Sequence, residues 1–396
     1  MKKEEVINAY QDYIMPTYRR TPLIFVKGKG MQLTDIDGKR YLDFFPGWGV
    51  SSLGHCHPKV VSAVRQQIDK LIHMPNNYLS LPQAKLAKEI IYQSFPGKVF
   101  FANSGAEANE AAVKLSRAYG AAGGRYEIIS FENSFHGRTL AALSMTGQHK
   151  YQEGFQPLPK GFTIVPFNNM EAVCNAVTER TAAIIIELIQ GEGGINVADK
   201  DFVLSLRKLC DEKKLLFIVD EVQTGLGRTG KMFAYEHYNI VPDVITLAKS
   251  LGGGLPIGAM VAKKDIADIL TPGKHASTFG GSPLVCKAAL AVFKAIQKEK
   301  LLTNARKQGE YLKDSLRDLA GKYSIIKEIR GIGLMVGIEL NIAAEEVVGG
   351  CLKNGLLINC TQERVLRLLP ALNVEKKQID RAVNILGGEL AKAAGK

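Results

Sequence analysis

Leu215-Leu216-Phe217-Ile218-Val219-Asp220-Glu221-Val222-Gln223-Thr224-Gly225 is an apolar run that stops on an acid. Further on, Val244-Ile245-Thr246-Leu247-Ala248 stops in the same way on Lys249. Short continuous apolar runs rich in β-branched residues read as strands buried on both faces. Two such strands bring a carboxylate and an amine to one edge of a sheet. A lysine among apolar neighbours is partly neutral and can form a Schiff base, while an aspartate can keep a ring nitrogen protonated. Taken singly, Asp220 reads better as a turn cap and Lys249 as a solvated strand end.

Three further stretches shift that balance towards pyridoxal phosphate. Ser104-Gly105-Ala106-Glu107-Ala108 follows the strand-like Val99-Phe100-Phe101-Ala102 and opens a helical run over 106–119. The backbone N–H groups of a helix start attract an anion, and Gly105 permits the close approach of a phosphate. Ser134-Phe135-His136-Gly137-Arg138-Thr139 follows a strand candidate over 127–131. Phe135 could stack on a flat ring and Arg138 could bind a carboxylate bidentately, although alone the pair reads equally as a core ring and a surface cation. Ser277-Thr278-Phe279-Gly280-Gly281-Ser282-Pro283 is a small-residue loop able to offer a hydroxyl to phosphate.

With 396 residues the chain can build a large core in more than one domain. Its 46% hydrophobic and 23% charged residues are those of a soluble globular protein, and no apolar run reaches the length of a membrane span. Met1-Lys2-Lys3-Glu4-Glu5 adjoins no apolar stretch, so the expected residence is cytoplasmic. The six cysteines lack metal-like pairing and are expected as free thiols; no metal site is expected. A net charge of +12 raises the question of nucleic acid, but the 51 Lys and Arg are spread out and no basic block or nucleic-acid module accompanies them. Anionic metabolites are the better expectation.

Seven apolar runs, at 98–102, 127–131, 162–167, 182–188, 215–221, 244–248 and 259–262, alternate with helical patterns. That alternation predicts an α/β chain with a mostly parallel seven-stranded sheet and ligands at the strand ends. One long helix is expected from Leu284 to about Ala320, then a smaller α+β region with strands over 333–340, 356–359 and 365–369 and a closing helix over 376–394. Asp35-Ile36-Asp37-Gly38 suits a hairpin near the start. The expected division is an N-terminal segment over 1–50 packing with the small domain, a large cofactor-binding domain over 51–290 and a C-terminal small domain over 291–396.

From about Pro22 to about Asp380 the order of these motifs resembles the class III (ornithine-type) aminotransferases of pyridoxal phosphate fold type I. Gly47-Trp48-Gly49-Val50, Leu53-Gly54-His55-Cys56-His57-Pro58, the Ser104 motif and the Phe135 motif look most like the branch acting on acetylornithine. The resemblance implies transfer of a terminal amino group to 2-oxoglutarate in arginine biosynthesis, with Lys249 as the cofactor's amine partner and Asp220 on its ring nitrogen. It also implies Gln223 on the phenolic oxygen, Phe135 against the ring, and Ser104, Gly105 and Ala106 on the phosphate. Thr278 would come from a neighbouring subunit of a homodimer with shared active sites.

For substrates, the resemblance puts Arg138 on the carboxylate distant from the reacting carbon. Arg367 would take the carboxylate next to the reacting carbon of 2-oxoglutarate, and Glu192 would mask it when acetylornithine is bound. The other reading of Glu192 and Arg367 is an ordinary ion pair. Glu187 matches a further family glutamate, but Leu188 stands where the family has a proline, which loosens the expected turn. His136, His55 and His57 read as structural. Rival donors are ornithine, succinylornithine, succinyldiaminopimelate and 4-aminobutyrate, and the rival outside enzymes is a non-catalytic basic binding protein on the same fold.

Overall fold

The computed structural model describes residues 2–395, so Met1 and Lys396 at the outer limits of the expected domains lie outside it. A seven-stranded sheet runs in the order Gly97–Ala102, Gly258–Lys263, Val244–Leu247, Leu216–Asp220, Thr181–Ile186, Glu127–Phe131, Phe162–Val165. All are parallel except Gly258–Lys263, which is antiparallel to both neighbours. Each expected apolar run thus forms a strand of one sheet. Thr181–Ile186 and Leu216–Asp220 are buried along their whole lengths, as expected of central parallel strands covered on both faces. Every fully buried isoleucine or valine there contributes about 1.5–3 kcal/mol of transfer free energy.

Register places the site. Asp220 pairs with Thr246 on the neighbouring parallel strand, so Lys249, just past that strand's end, emerges beside it. Because Gly258–Lys263 runs the other way, its entry loop reaches the same edge as the exits of the parallel strands.

Two four-stranded sheets and a two-stranded one, Ile189–Gln190 with Asn196–Val197, complete the sheet structure of the described residues. Phe25–Lys29, Gln32–Asp35 and Arg40–Asp43 form antiparallel pairs around the Asp35 turn, and Arg40–Asp43 pairs in parallel with Leu356–Leu357. The other sheet is Ile326–Ile332, Met335–Leu340, Val365–Leu368 and Asn359–Thr361. The expected strand over 356–359 is therefore two short strands in different sheets, because Ile358 lies between two sets of partners. The expected single helix from Leu284 is also divided, into Pro283–Lys298 and Leu301–Ala320. Lys300 takes a left-handed conformation with φ of 53° that no helix continues through, while Leu301 turns into the core. The closing helix runs Lys376–Ala393.

Candidate active site

The helix Gly105–Gly120 begins on a reciprocal cap. Ser104 Oγ accepts from the Glu107 N–H at 3.1 Å, while the Glu107 carboxylate accepts from the Asn103 N–H at 2.7 Å. Among the described residues the N–H groups of Gly105 and Ala106 have no backbone partner, and both residues line the cavity, which suits an anion at this helix start. Close packing seats this turn: a Cβ on Gly258 would overlap the Ser104 carbonyl, and one on Gly105 would meet Val222 at 2.8 Å.

Asp220 is buried, and both its oxygens are held. Oδ2 accepts from Asn109 Nδ2 and from His136 Nδ1, each at 2.8 Å, and Oδ1 accepts from the Val222 N–H at 3.0 Å. Burial alone would push its carboxyl up, but the bond and charge of His136, with the Asn109 and Val222 bonds, leave it below the ordinary range. For His136, burial favours the neutral ring and the Asp220 contact overrides it, so its pKa is raised. Asp220 is thus a fixed negative charge. His136, expected as structural, and Asn109, which the sequence does not single out, both grip this carboxylate; their signal lies in their nearness to the Ser104 and Phe135 motifs.

Lys249 opens the turn after Val244–Leu247 with φ of 43°, left-handed geometry that costs a side-chain-bearing residue about 1–2 kcal/mol. Its ammonium is disfavoured first by burial; Glu192 opposes that and Arg367 adds to it, and the net pKa is lowered. An amine so depressed has a larger neutral, nucleophilic fraction.

Arg367 is completely buried on Val365–Leu368, opposite Asn359 in register. Asn359 Oδ1 accepts from its Nη2 at 2.8 Å, Phe45 offers a ring face at 4.8 Å, and Nη1 donates to Glu192 Oε1 at 2.7 Å. A longer contact of 3.4 Å reaches Gln223 Oε1. Glu187 accepts from the Phe135 and Gly191 N–H groups, and burial pushes it up to about 7. Leu188, in the place of the expected proline, is fully buried and its carbonyl accepts from Ala198; packing and pairing hold this turn.

One cavity of about 470 Å³ collects Ser104, Gly105, Ala106, Phe135, Arg138, Glu192, Asp220, Gln223 and Lys249 on its walls. They arrive from the ends of five strands, as the strand-end rule requires. Arg367 stands behind Glu192 and Gln223. Thr278 is not on these walls: it is exposed on its loop. An anion cradle, an enclosed negative charge and a pKa-lowered lysine around one cavity are a donor set that fits pyridoxal phosphate.

Site and fold together define an enzyme of amine transfer. The family model described as Aminotransferase class-III matches residues 13–389, and the chain belongs to this family. It is 52% identical over 391 residues to the acetylornithine aminotransferase of Methanocaldococcus jannaschii, covering 98% of each chain. It is 50% identical over 377 residues to that of Aquifex aeolicus, covering 94% of this chain and 98% of the relative. Among solved structures, the ornithine aminotransferase of Toxoplasma gondii superposes with a TM-score of 0.95 at 33% identity, over 99% of this chain and 96% of that one. The acetylornithine aminotransferase of Elizabethkingia anophelis gives a TM-score of 0.88 at 31% identity, over 99% and 100%. The architecture is α/β, pyridoxal phosphate fold type I. No helix among the described residues is long and apolar enough to cross a membrane.

Proposed function

We propose that this chain, with pyridoxal phosphate as cofactor, moves the terminal amino group of N2-acetylornithine to 2-oxoglutarate. The products are N-acetylglutamate 5-semialdehyde and glutamate, a step of arginine biosynthesis. The observation that carries this reading is the contrast between two arginines. Arg138 is exposed and has no carboxylate partner among the described residues, while Arg367 is masked by Glu192 at 2.7 Å near Lys249. Acetylornithine has a carboxylate far from its reacting amine and none beside it, which suits Arg138 free and Arg367 masked. 2-Oxoglutarate carries both, which suits Glu192 swung aside. The names of the relatives at about half identity support the same donor.

When bound, the cofactor supplies a carbon that accepts the amine and a ring that draws off electrons. Asp220 would hold the ring nitrogen's proton with its fixed charge. Ser104, Gly105 and Ala106 would hold the phosphate, and Phe135 would cover the ring. Gln223 turns its Oε1 to Arg367, and its Nε2, with no partner among the described residues, would donate to the phenolic oxygen. The depressed Lys249 amine can take up at Nζ the proton that leaves the substrate carbon and would give it back on the far side of the transferred nitrogen, a 1,3 shift.

Thr278 would reach the phosphate of a second copy in a homodimer. Supporting this, its loop adjoins the segment bearing Tyr78, Leu79 and Leu81, all exposed together with Phe279; Asn76 donates to the Ser277 and Gly280 carbonyls. The division into a segment over 1–50, a large domain over 51–290 and a small domain over 291–396, and residence in the cytoplasm, belong to the same reading.

A donor panel tests it: acetylornithine, ornithine, succinylornithine, succinyldiaminopimelate and 4-aminobutyrate, each with 2-oxoglutarate as acceptor. Acetylornithine should show the highest kcat/KM. A clear lead for another donor would replace the substrate, and no turnover with any would favour the binding-protein alternative.

A further inference from the structure

Arg138 must reach into the cavity to read a carboxylate, yet among the described residues no acid or carbonyl holds it. Its partners are aromatic: the guanidinium lies 4.0 Å from the centre of the Tyr151 ring and 5.5 Å from that of Phe135. Tyr151 and Phe135 meet edge to face at 5.8 Å. An unanchored arginine side chain carries about 2 kcal/mol of rotamer entropy, so an exposed guanidinium laid on a ring face is ordered before any ligand arrives.

Tyr151 is itself well placed for this. It closes the short turn His149–Tyr151, whose N-terminal neighbour Gln148 donates to the Asn133 and Ser134 carbonyls, directly ahead of Phe135. The turn is thereby fixed to the loop that carries Arg138. From the other side Gln362 donates both to Gln148 Oε1 and to the Glu192 carbonyl, each at 3.0 Å, tying the same turn to the residue that masks Arg367. Burial and then the nearby Glu192 raise the Tyr151 phenol above its usual pKa, so the ring stays neutral. Lys150 lies farther from the ring centre than Arg138, at 5.2 Å.

We propose that Tyr151 is a specificity-determining positioning residue: its ring face holds Arg138 in the orientation that reads the donor's distal carboxylate. The inference rests on the reading of Arg138 given above, and it adds a residue outside the cavity wall to the substrate site. Loss of the ring should weaken recognition of the carboxylate while sparing the chemistry at the amine.

The test compares two donors in single turnovers of the cofactor-loaded enzyme: N2-acetylornithine and N-acetyl-1,4-diaminobutane, the same molecule without its carboxylate. The readout is the ratio of their kcat/KM values, acetylornithine over the amine. Tyr151→Leu should lower this ratio by about tenfold or more, the scale of a partly desolvated cation–π contact. Tyr151→Phe, which keeps the ring face, should restore it to within about threefold of the parent. Tyr151→Met serves as a second ring-free variant should Tyr151→Leu fail to fold. Arg138→Leu separates the two levels of inference. If Arg138→Leu lowers the ratio and neither ring-free variant does, the role of Tyr151 is overturned and that of Arg138 stands. If the ratio is unchanged in all of them, the reading of Arg138 falls and takes this one with it. A Tyr151→Phe ratio as low as that of Tyr151→Leu would assign the effect to the hydroxyl and refute the ring-face role.

Discussion

Replacing Glu192 with alanine should change which donor the enzyme prefers, by an amount set by one contact. Arg367 is fully buried, and Glu192 neutralises it through a 2.7 Å charge-assisted bond. A bond of this kind is worth about 1.5–3 kcal/mol net, and breaking a buried pair costs about 3–5 kcal/mol. The lower range applies here, because the Glu192 side chain is 18% exposed towards the cavity. Arg367 also keeps Asn359 and the Phe45 face when Glu192 leaves. Glutamate can engage Arg367 only by displacing Glu192. Glu192→Ala removes that cost and should raise the kcat/KM of glutamate relative to acetylornithine by about 10–100-fold. Arg367→Ala should slow the 2-oxoglutarate half-reaction by a similar factor and leave the acetylornithine half within about threefold of the parent. Stopped-flow spectra of each half-reaction, recorded separately, give both numbers. If Arg367→Ala slows the two halves equally and Glu192→Ala leaves donor preference where it was, the residues are an ordinary ion pair and the masking argument is wrong.

Lys249→Ala should abolish transamination and the attachment of cofactor on borohydride reduction, read by peptide mass; turnover near the parent's would remove Lys249 from its role. Asp220→Asn should lower kcat far more than cofactor occupancy, since the charge is lost while stacking and phosphate contacts remain; equal rates at full occupancy would reject it as the ring-nitrogen partner. Glu221, buried with its carboxylate accepting from Thr224 Oγ1 and the Tyr235 N–H, is raised from 4.5 to about 7, first by burial. Its folded form therefore binds the proton more tightly than the unfolded chain, and the stability this confers is full below about pH 4.5 and lost as pH rises through about 7. Set against Glu221→Gln, the parent should lose about 3 kcal/mol across that window in denaturant melts, Glu187 titrating alike in both; parallel curves would refute this. Gly258→Ala should cost more cofactor affinity than Gly105→Ala, because its Cβ meets the rigid Ser104 carbonyl whereas Gly105 faces the side chain of Val222; equal dissociation constants would count against the packing argument.

The amino-acid sequence by itself determined where the strands of the large sheet lie, because a strand buried on both faces must be apolar along its whole length and a cavity-facing end must turn polar. It also marked the helix start at Ser104, where cap and carboxylate are three residues apart and the signal is local. The break at Lys300 and the division of residues 356–361 between two sheets were not legible, since both depend on which distant segments supply partners. Only the tertiary structure decided that Asn109 and His136 share one oxygen of Asp220, and that Tyr151 lies under Arg138. It alone set Asn359 in register with Arg367. The Asp220 contacts join residues 111 and 84 apart in the chain, and even the nearer pairs meet only once a turn or a strand pairing has set their register; a polar side chain's sequence neighbours do not say which buried charge it will meet. Periodicity reports the burial of a segment, whereas the pairing of polar groups inside the fold is fixed by the packing of segments against one another.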